Sequence, residues 1–215
     1  MFKKKPFFIV FEGVEGCGKS YQSRKLKKNL IKKGINPILT REPGGTKSAE
    51  LIRNLILDDY FKKKNVDKFD KYTDTLLYLA ARNEHIINKI QPAIKRKKIV
   101  ICDRFFDSTY AYQVYGKKVS KIFIDNIHKF ILQGIKPNLT FVLKVNSKMS
   151  KIRLKKRRTK NRYDNFPQSF YTKAQNSFLK IAKNKKNYFI LNSSFNNNEL
   201  ERKILKIVLK RLKIK

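Results

Sequence analysis

The segment Gly13-Val14-Glu15-Gly16-Cys17-Gly18-Lys19-Ser20 has the residue types and spacing to hold phosphate. It fits G-x-x-x-x-G-K-[ST], follows the apolar run Phe7–Phe11 and precedes a stretch with helical spacing. A strand, a glycine loop and a helix in that order form an anion cradle. Loop N–H groups and the positive helix end point at the same spot. Lys19 can reach the outer phosphates of a nucleotide, and the Ser20 hydroxyl can hold Mg²⁺.

Four more patches carry chemical groups. Thr40-Arg41-Glu42-Pro43-Gly44-Gly45-Thr46 closes the second apolar run. A charged pair before Pro-Gly-Gly either lines a ligand or makes an ordinary turn. Asp103-Arg104 closes the third run. Asp103 can order Mg²⁺-bound water and Arg104 can grip a phosphate with both prongs of its fork; otherwise the pair stitches the sheet edge. Tyr78 and Arg82, spaced i, i+4, share one helix face and suit a planar base. The plainer reading is a packed tyrosine and a solvated arginine. Arg153, Arg157, Arg158 and Arg162 belong to a basic segment that could close over transferring phosphates. Its alternative is a solvated charge run.

Apolar runs alternating with helical patterns must position these groups, which argues for βαβ units and a parallel sheet. Strands are expected at Phe7–Phe11, Pro37–Thr40, Ile99–Cys102, Leu139–Val145 and Tyr188–Leu191. Helices are expected over Lys19–Lys33, Ser48–Leu57, Thr73–Ile90 (stopped near Pro92), Ser120–Gln133, Ser147–Arg157, Pro167–Lys183 and Asn198–Lys213. The polar stretch Arg157–Asn165 reads as a basic loop between two helices. In open α/β sheets ligands sit beyond the carboxyl ends of the strands. Both charged patches, 40–46 and 103–104, fall there.

At 215 residues the chain suits one domain, 1–215, and 41% hydrophobic residues supply a core. The net charge of +36 is spread over nearly every segment and accompanies abundant Asn, Ile, Phe and Tyr. Such charge informs partners more than fold. Nucleic-acid contact is expected to be non-specific and salt-sensitive at most. Cys17 and Cys102 make neither a disulfide framework nor a zinc pattern, pointing to a reducing, cytoplasmic setting. Met1–Lys5 has the charge of a signal peptide's start, but the apolar stretch after it is too short and leads into the glycine loop. No run is long enough to span a membrane. A thiol at a helix N-terminus can be activated. Alkylating Cys17 would then block nucleotide binding, unless it is a small neutral spacer.

Taken in order, these segments resemble the thymidylate kinase family: 11–20, 40–46, Tyr-Leu-Ala-Ala-Arg (78–82), Asp103-Arg104, Ser-Thr-Tyr-Ala-Tyr-Gln (108–113), Pro-Asn-Leu-Thr (137–140) and Arg-Tyr-Asp (162–164). The resemblance implies an α/β, P-loop NTPase-type five-stranded parallel sheet flanked by helices, with a mobile basic lid at about 153–165. It implies transfer of the ATP γ-phosphoryl to dTMP, with Mg²⁺, in a homodimer. Residues 13–20 would bind ATP. Arg104, with Arg53 and Arg41, would hold the dTMP phosphate, and Glu15 would lie near the sugar and metal. Tyr78, where the family usually has Phe, would stack on thymine. Arg82, Thr109 and Gln113 would read the base edge, Glu42 would join the dTMP-binding residues, and Tyr112 would crowd the sugar 2′-position. Arg153 and Arg157 match the lid arginines of the bacterial subclass. Cys17, Tyr21, Asn161 and Phe105-Phe106 depart from the common pattern.

A phosphate acceptor is ionised near neutral pH, since its second pKa is about 6, so no general base is needed. Two other readings stay open at this point. One is a deoxynucleoside kinase using Glu42 as base; the other is a P-loop module that binds nucleic acid through its charge.

Overall fold

The computed structural model of the protein describes residues 5–57, 68–156, 163, 166–195 and 197–214. Each of the five apolar runs forms a strand: β1 (Phe7–Glu12), β2 (Ile38–Arg41), β3 (Ile99–Asp103), β4 (Leu139–Lys144) and β5 (Tyr188–Asn192). All pairings are parallel, in the order β2-β3-β1-β4-β5. Three strands run one residue past their apolar stretch into charge, ending on Glu12, Arg41 and Asp103. Ladder bonds use only backbone groups, so pairing continues: Phe11 and Arg41 both face Asp103 in register. The charged residues are therefore the last rungs of the sheet. The chain leaves β1 toward β2 and leaves β3 toward β4, in opposite directions. Adjacent β1 and β3 thus open a crevice at their carboxyl ends.

Alternation along β1 splits the core in two. Phe8 and Val10 pack with Ile86, Ile90, Val100 and Phe105 on one face; Ile9 and Phe11 pack with Leu26, Phe141, Phe178 and Ile204 on the other. Helices α1 (Lys19–Ile31), α2 (Lys47–Leu57), α3 (Lys71–His85), α4 (Gln91–Lys95), α5 (Phe106–Thr109), α6 (Lys121–Leu132), α7 (Ser147–Lys155), α8 (Gln168–Ala182) and α9 (Asn197–Leu212) fill the connections. Side chains of Asp70, Ser120 and Asn146 cap α3, α6 and α7 by accepting from Tyr72, Phe123 and Met149 amides.

Two stretches depart from the sequence-based expectation. The helical run through α3 does not stop at Pro92. Residues Ile86–Ile90 form a π-helical turn, with the Gln91 N–H reaching the Ile86 carbonyl, and Pro92 is the second residue of α4. The wider turn and the N-terminal position accommodate the missing proline N–H without ending the run. The second is a helical segment not expected at all: α5 followed by a π-helical turn over Tyr110–Gly116. Of the basic segment, Arg153 lies in α7, Tyr163 is buried, and Arg157, Arg158, Asn161 and Arg162 lie outside the described residues. No described helix is long and apolar enough to cross a membrane.

Candidate active site

A cavity of about 380 Å³ opens above the ends of β1, β2 and β3, within the size range of small-molecule sites. On one side runs the glycine loop between β1 and α1. Gly16 sits at φ +71°, and a Cβ there would lie 2.7 Å from the Ser150 carbonyl oxygen of α7. Only glycine allows that approach. Helix α7 holds the loop from outside: the Ser150 hydroxyl donates to the Glu15 carbonyl (2.9 Å), and Arg153 donates to the carbonyls of Gly16 (3.2 Å) and Ser193 (2.8 Å). Lys19 is buried and its Nζ donates to the Val14 carbonyl at 2.9 Å. Ser20 donates to Asp103 Oδ2 across the β1–β3 crevice. A hydroxyl and a carboxylate side by side are hard oxygen donors beside a phosphate cradle. That set fits a Mg²⁺ that arrives with nucleotide phosphates.

Arg104 projects between the loop and α5. Its Nη1 donates to the Gly13 carbonyl (2.9 Å) and the Ser108 hydroxyl (3.2 Å), and its Nη2 to Glu15 Oε1 (2.6 Å). The Tyr112 hydroxyl takes the other Glu15 oxygen at 2.6 Å. Burial opposes the Glu15 charge, but Arg104, with Lys19 behind it, outweighs burial and holds the carboxyl below its usual range. Arg41 and Arg53 approach from the β2 side. Glu50 of α2 binds Arg41 (3.0 Å) and lies 3.8 Å from Arg53, which also donates to the Pro43 carbonyl at 2.6 Å. Burial and the Arg41 charge push the Arg53 guanidinium below its ordinary value. Arg41, Arg53, Arg104 and Lys19 thus border one cleft, an anion-seeking arrangement.

The far end of the cleft is built differently. Tyr78 and Arg82 both line it, and Tyr78 bonds the Tyr163 hydroxyl. Arg82 is not solvated; it is 3% exposed. Its Nε donates to Glu42 (2.7 Å), its Nη1 to Thr109 (2.6 Å) and His128 (3.0 Å), and its Nη2 to the Phe105 carbonyl (3.0 Å). These bonds use four of the five N–H donors of a guanidinium. Gln113 Nε2 is buried there without a hydrogen-bond partner among the described residues.

Comparison with known proteins places the chain in a family. The family model described as "Thymidylate kinase" matches residues 11–204. The chain belongs to the thymidylate kinase family. A thymidylate kinase of Geobacillus sp. (strain WCH70) is 42% identical over 177 residues, covering 81% of this chain and 82% of that one. One from Aster yellows witches'-broom phytoplasma is 40% identical over 210 residues, 96% of both chains. The solved structure of thymidylate kinase from Ehrlichia chaffeensis superposes with a TM-score of 0.74 at 31% identity, covering 95% of this chain and 99% of that one.

Within this member of the thymidylate kinase family two sequence-based expectations need correction. Glu42 is not available as a base for a nucleoside hydroxyl. Its two oxygens meet Arg82 (2.7 Å) and His85 (3.0 Å), which overcome burial and hold the carboxyl below its ordinary range. The family match supports neither the deoxynucleoside kinase nor the nucleic-acid-module reading. Cys17 is not an accessible thiol: it is fully buried, and its Sγ lies 2.8 Å from where a Cβ on Gly13 would sit. It is the spacer of the plainer reading.

The structure adds residues that motif spacing did not reveal. His85 is fully buried between Thr40 Oγ1 (2.6 Å) and Glu42 (3.0 Å), and a Cβ on Gly45 would come within 2.7 Å of its ring. It props the 40–46 loop. Its only sequence signal was its position one turn beyond Ala81–Arg82. His128 of α6 reaches Arg82 from another element. Burial first, and the Arg82 charge second, push its pKa down to about 3. The ring is thus neutral and accepts from Arg82. An unfolded His titrates near 6.5, so the unfolded chain takes up the proton first as pH falls. Stability is whole above about pH 6.5 and is lost as pH drops toward 3. This group alone is expected to remove about 2 kcal/mol between pH 7 and 5. His128→Gln keeps an acceptor without the proton. Its melting temperature should fall less than that of the wild type over this interval, by about 5 °C, in thermal melts at both pH values.

Proposed function

We propose that the cleft seats ATP on the glycine loop and dTMP against Arg104, end to end, and transfers the γ-phosphoryl between them. Membership of the thymidylate kinase family makes dTMP phosphorylation to dTDP the reaction. The observation that carries the residue-level reading is Arg104. It stands between the phosphate loop and the base end of the cleft, bonded to the Gly13 carbonyl and to Glu15. Acceptor phosphate would replace Glu15 on its fork, with Arg41 and Arg53 as flanking cations. Tyr78 would stack on thymine. Gln113, Thr109 and the Arg82 donor left over from its protein bonds would address the base carbonyls. Tyr112, held by Glu15, would border the sugar and exclude a 2′-hydroxyl.

The acceptor oxygen is already anionic, so the chain's residues position and neutralise rather than move protons. Lys19 exchanges the Val14 carbonyl for the donor's outer phosphates. Arg153 sits beside the loop, and Arg157 would complete the lid over both substrates. Mg²⁺, when bound with ATP by Ser20 and Asp103, supplies charge neutralisation of the phosphates. The domain is read as a single catalytic unit, 1–215, in the cytoplasm. Exposed Leu51 of α2, Leu76 of α3 and Phe130 of α6 support a homodimer through helices packed side by side. Light scattering should give twice the monomer mass.

The deciding assay is ADP release across nucleoside monophosphates, with and without Mg²⁺. Activity is expected with dTMP, little with the ribonucleotides, none with thymidine itself, and none once EDTA is added. Equal rates with AMP or GMP would defeat the assignment of the base end.

A further inference from the structure

Glu12, the last residue of β1, takes no part in holding phosphate, yet it is fully buried beneath the turn that follows β3. Its Oε1 accepts from the amides of Phe105 (2.8 Å) and Ser108 (3.3 Å), and its Oε2 from the Ser108 hydroxyl (2.7 Å). The residue just before this turn is Arg104, a non-glycine residue at φ +73°. Its own amide donates to the Phe11 carbonyl at 2.9 Å. Consecutive residues of β1 therefore grip consecutive amides: the Phe11 carbonyl takes that of 104, and the Glu12 carboxyl takes that of 105. The Ser108 hydroxyl, which bonds Glu12, also accepts from Arg104 Nη1 at 3.2 Å. One carboxyl thus reaches the arginine from both its backbone and its guanidinium. A left-handed non-glycine residue persists only where its surroundings over-determine it.

We propose that Glu12 is a positioning residue for the acceptor: its carboxyl fixes the 105–108 turn so that the Arg104 guanidinium stays directed into the cleft. The inference rests on the reading of Arg104 as the dTMP-phosphate arm. Burial, with Asp107 next, pushes the Glu12 carboxyl up to about 8. Burial thus favours the neutral acid, which keeps an oxygen for both amides. Glutamine offers the same oxygen in the same place; alanine offers none.

The test compares Glu12→Gln, Glu12→Ala, Ser108→Ala, Arg104→Ala and the Glu12→Ala/Arg104→Ala pair, with dTMP and ATP varied separately and melts alongside. Glu12→Ala is expected to raise KM for dTMP about tenfold to a hundredfold, as small misplacements do. KM for ATP should stay within about twofold and Glu12→Gln within about threefold of wild type. Added to Arg104→Ala, Glu12→Ala should raise KM for dTMP no further, because the arginine it positions is gone. Ser108→Ala, which cuts only the side-chain link, should raise KM for dTMP about fivefold; it gives the reading if Glu12→Ala does not fold. A folded Glu12→Ala with unchanged KM for dTMP overturns the positioning role, as does an equal rise in both KM values or full additivity with Arg104→Ala. If Glu12→Ala does not fold, an unchanged KM in Ser108→Ala does the same. An Arg104→Ala enzyme with unchanged KM for dTMP overturns the reading of Arg104 itself, and this inference with it.

Discussion

Lys19→Ala is expected to lower kcat by about a hundredfold to a thousandfold, the range seen when one preorganised charge donor is removed, while the protein stays folded. The Lys19 ammonium is buried within its own loop, held by the Val14 carbonyl at 2.9 Å and by Cys17 Sγ at 3.5 Å. Neither partner is charged. Losing each contact costs the fold about 1 kcal/mol. The loop's shape depends on its glycines and on α7, which the substitution leaves alone. Catalysis has more to lose. A desolvated ammonium acts at low dielectric, where the charge accumulating on the transferring phosphoryl is felt most strongly. The measurement is steady-state turnover with each substrate varied, beside a thermal melt. KM for dTMP should hardly change, since Arg104 and the base end are untouched. A folded variant keeping more than about a tenth of wild-type kcat would remove Lys19 from the transition state, because the residual effect would be under about 1.4 kcal/mol.

The sheet and the phosphate loop were legible because their signals are local. Each strand is a short apolar run, and the loop is a fixed spacing of glycines ahead of Lys19-Ser20. Arg41 and Asp103 could be placed at the sheet edge since they follow such runs directly. The segment Phe106–Gly116 was not legible as a helix. Its aromatic, β-branched and small polar residues have weak helix propensity. Part of it winds as a π-helix, so its apolar residues miss the i, i+3/i+4 pattern. Pro92 misled for the opposite reason: it marks a stop in a regular helix, and here a widened turn precedes it. The groups supporting the site were hidden because their partners lie far away in sequence. Glu12 is buried by residues 105–108, and Arg82 is tied to Glu42, Thr109 and His128. A helix face tells where Arg82 points, but the solvated alternative failed only because four partners from other elements surround it.

Arg104→Ala is the second large effect, and its two consequences have separate causes. kcat/KM for dTMP should fall about a hundredfold to a thousandfold, the worth of two charge-assisted bonds to a phosphate. KM for ATP should be nearly unchanged. The fold also pays: Glu15 would be left buried without its 2.6 Å partner, at about 3 kcal/mol or more. A low melting temperature could then be mistaken for the origin of the lost activity. Adding Glu15→Gln separates the two, because it removes the stranded charge while leaving the acceptor's arm absent. The double variant should regain much of the stability and none of the affinity for dTMP. Arg104→Lys should stabilise better than Ala yet recover little kcat/KM. One ammonium cannot span the Gly13 carbonyl, Ser108 and Glu15, which the fork reaches at 2.9, 3.2 and 2.6 Å, nor grip a phosphate through two parallel bonds. If Lys restored kcat/KM to within about threefold of wild type, a point charge would suffice there, and the two-pronged seating of the acceptor phosphate would be wrong.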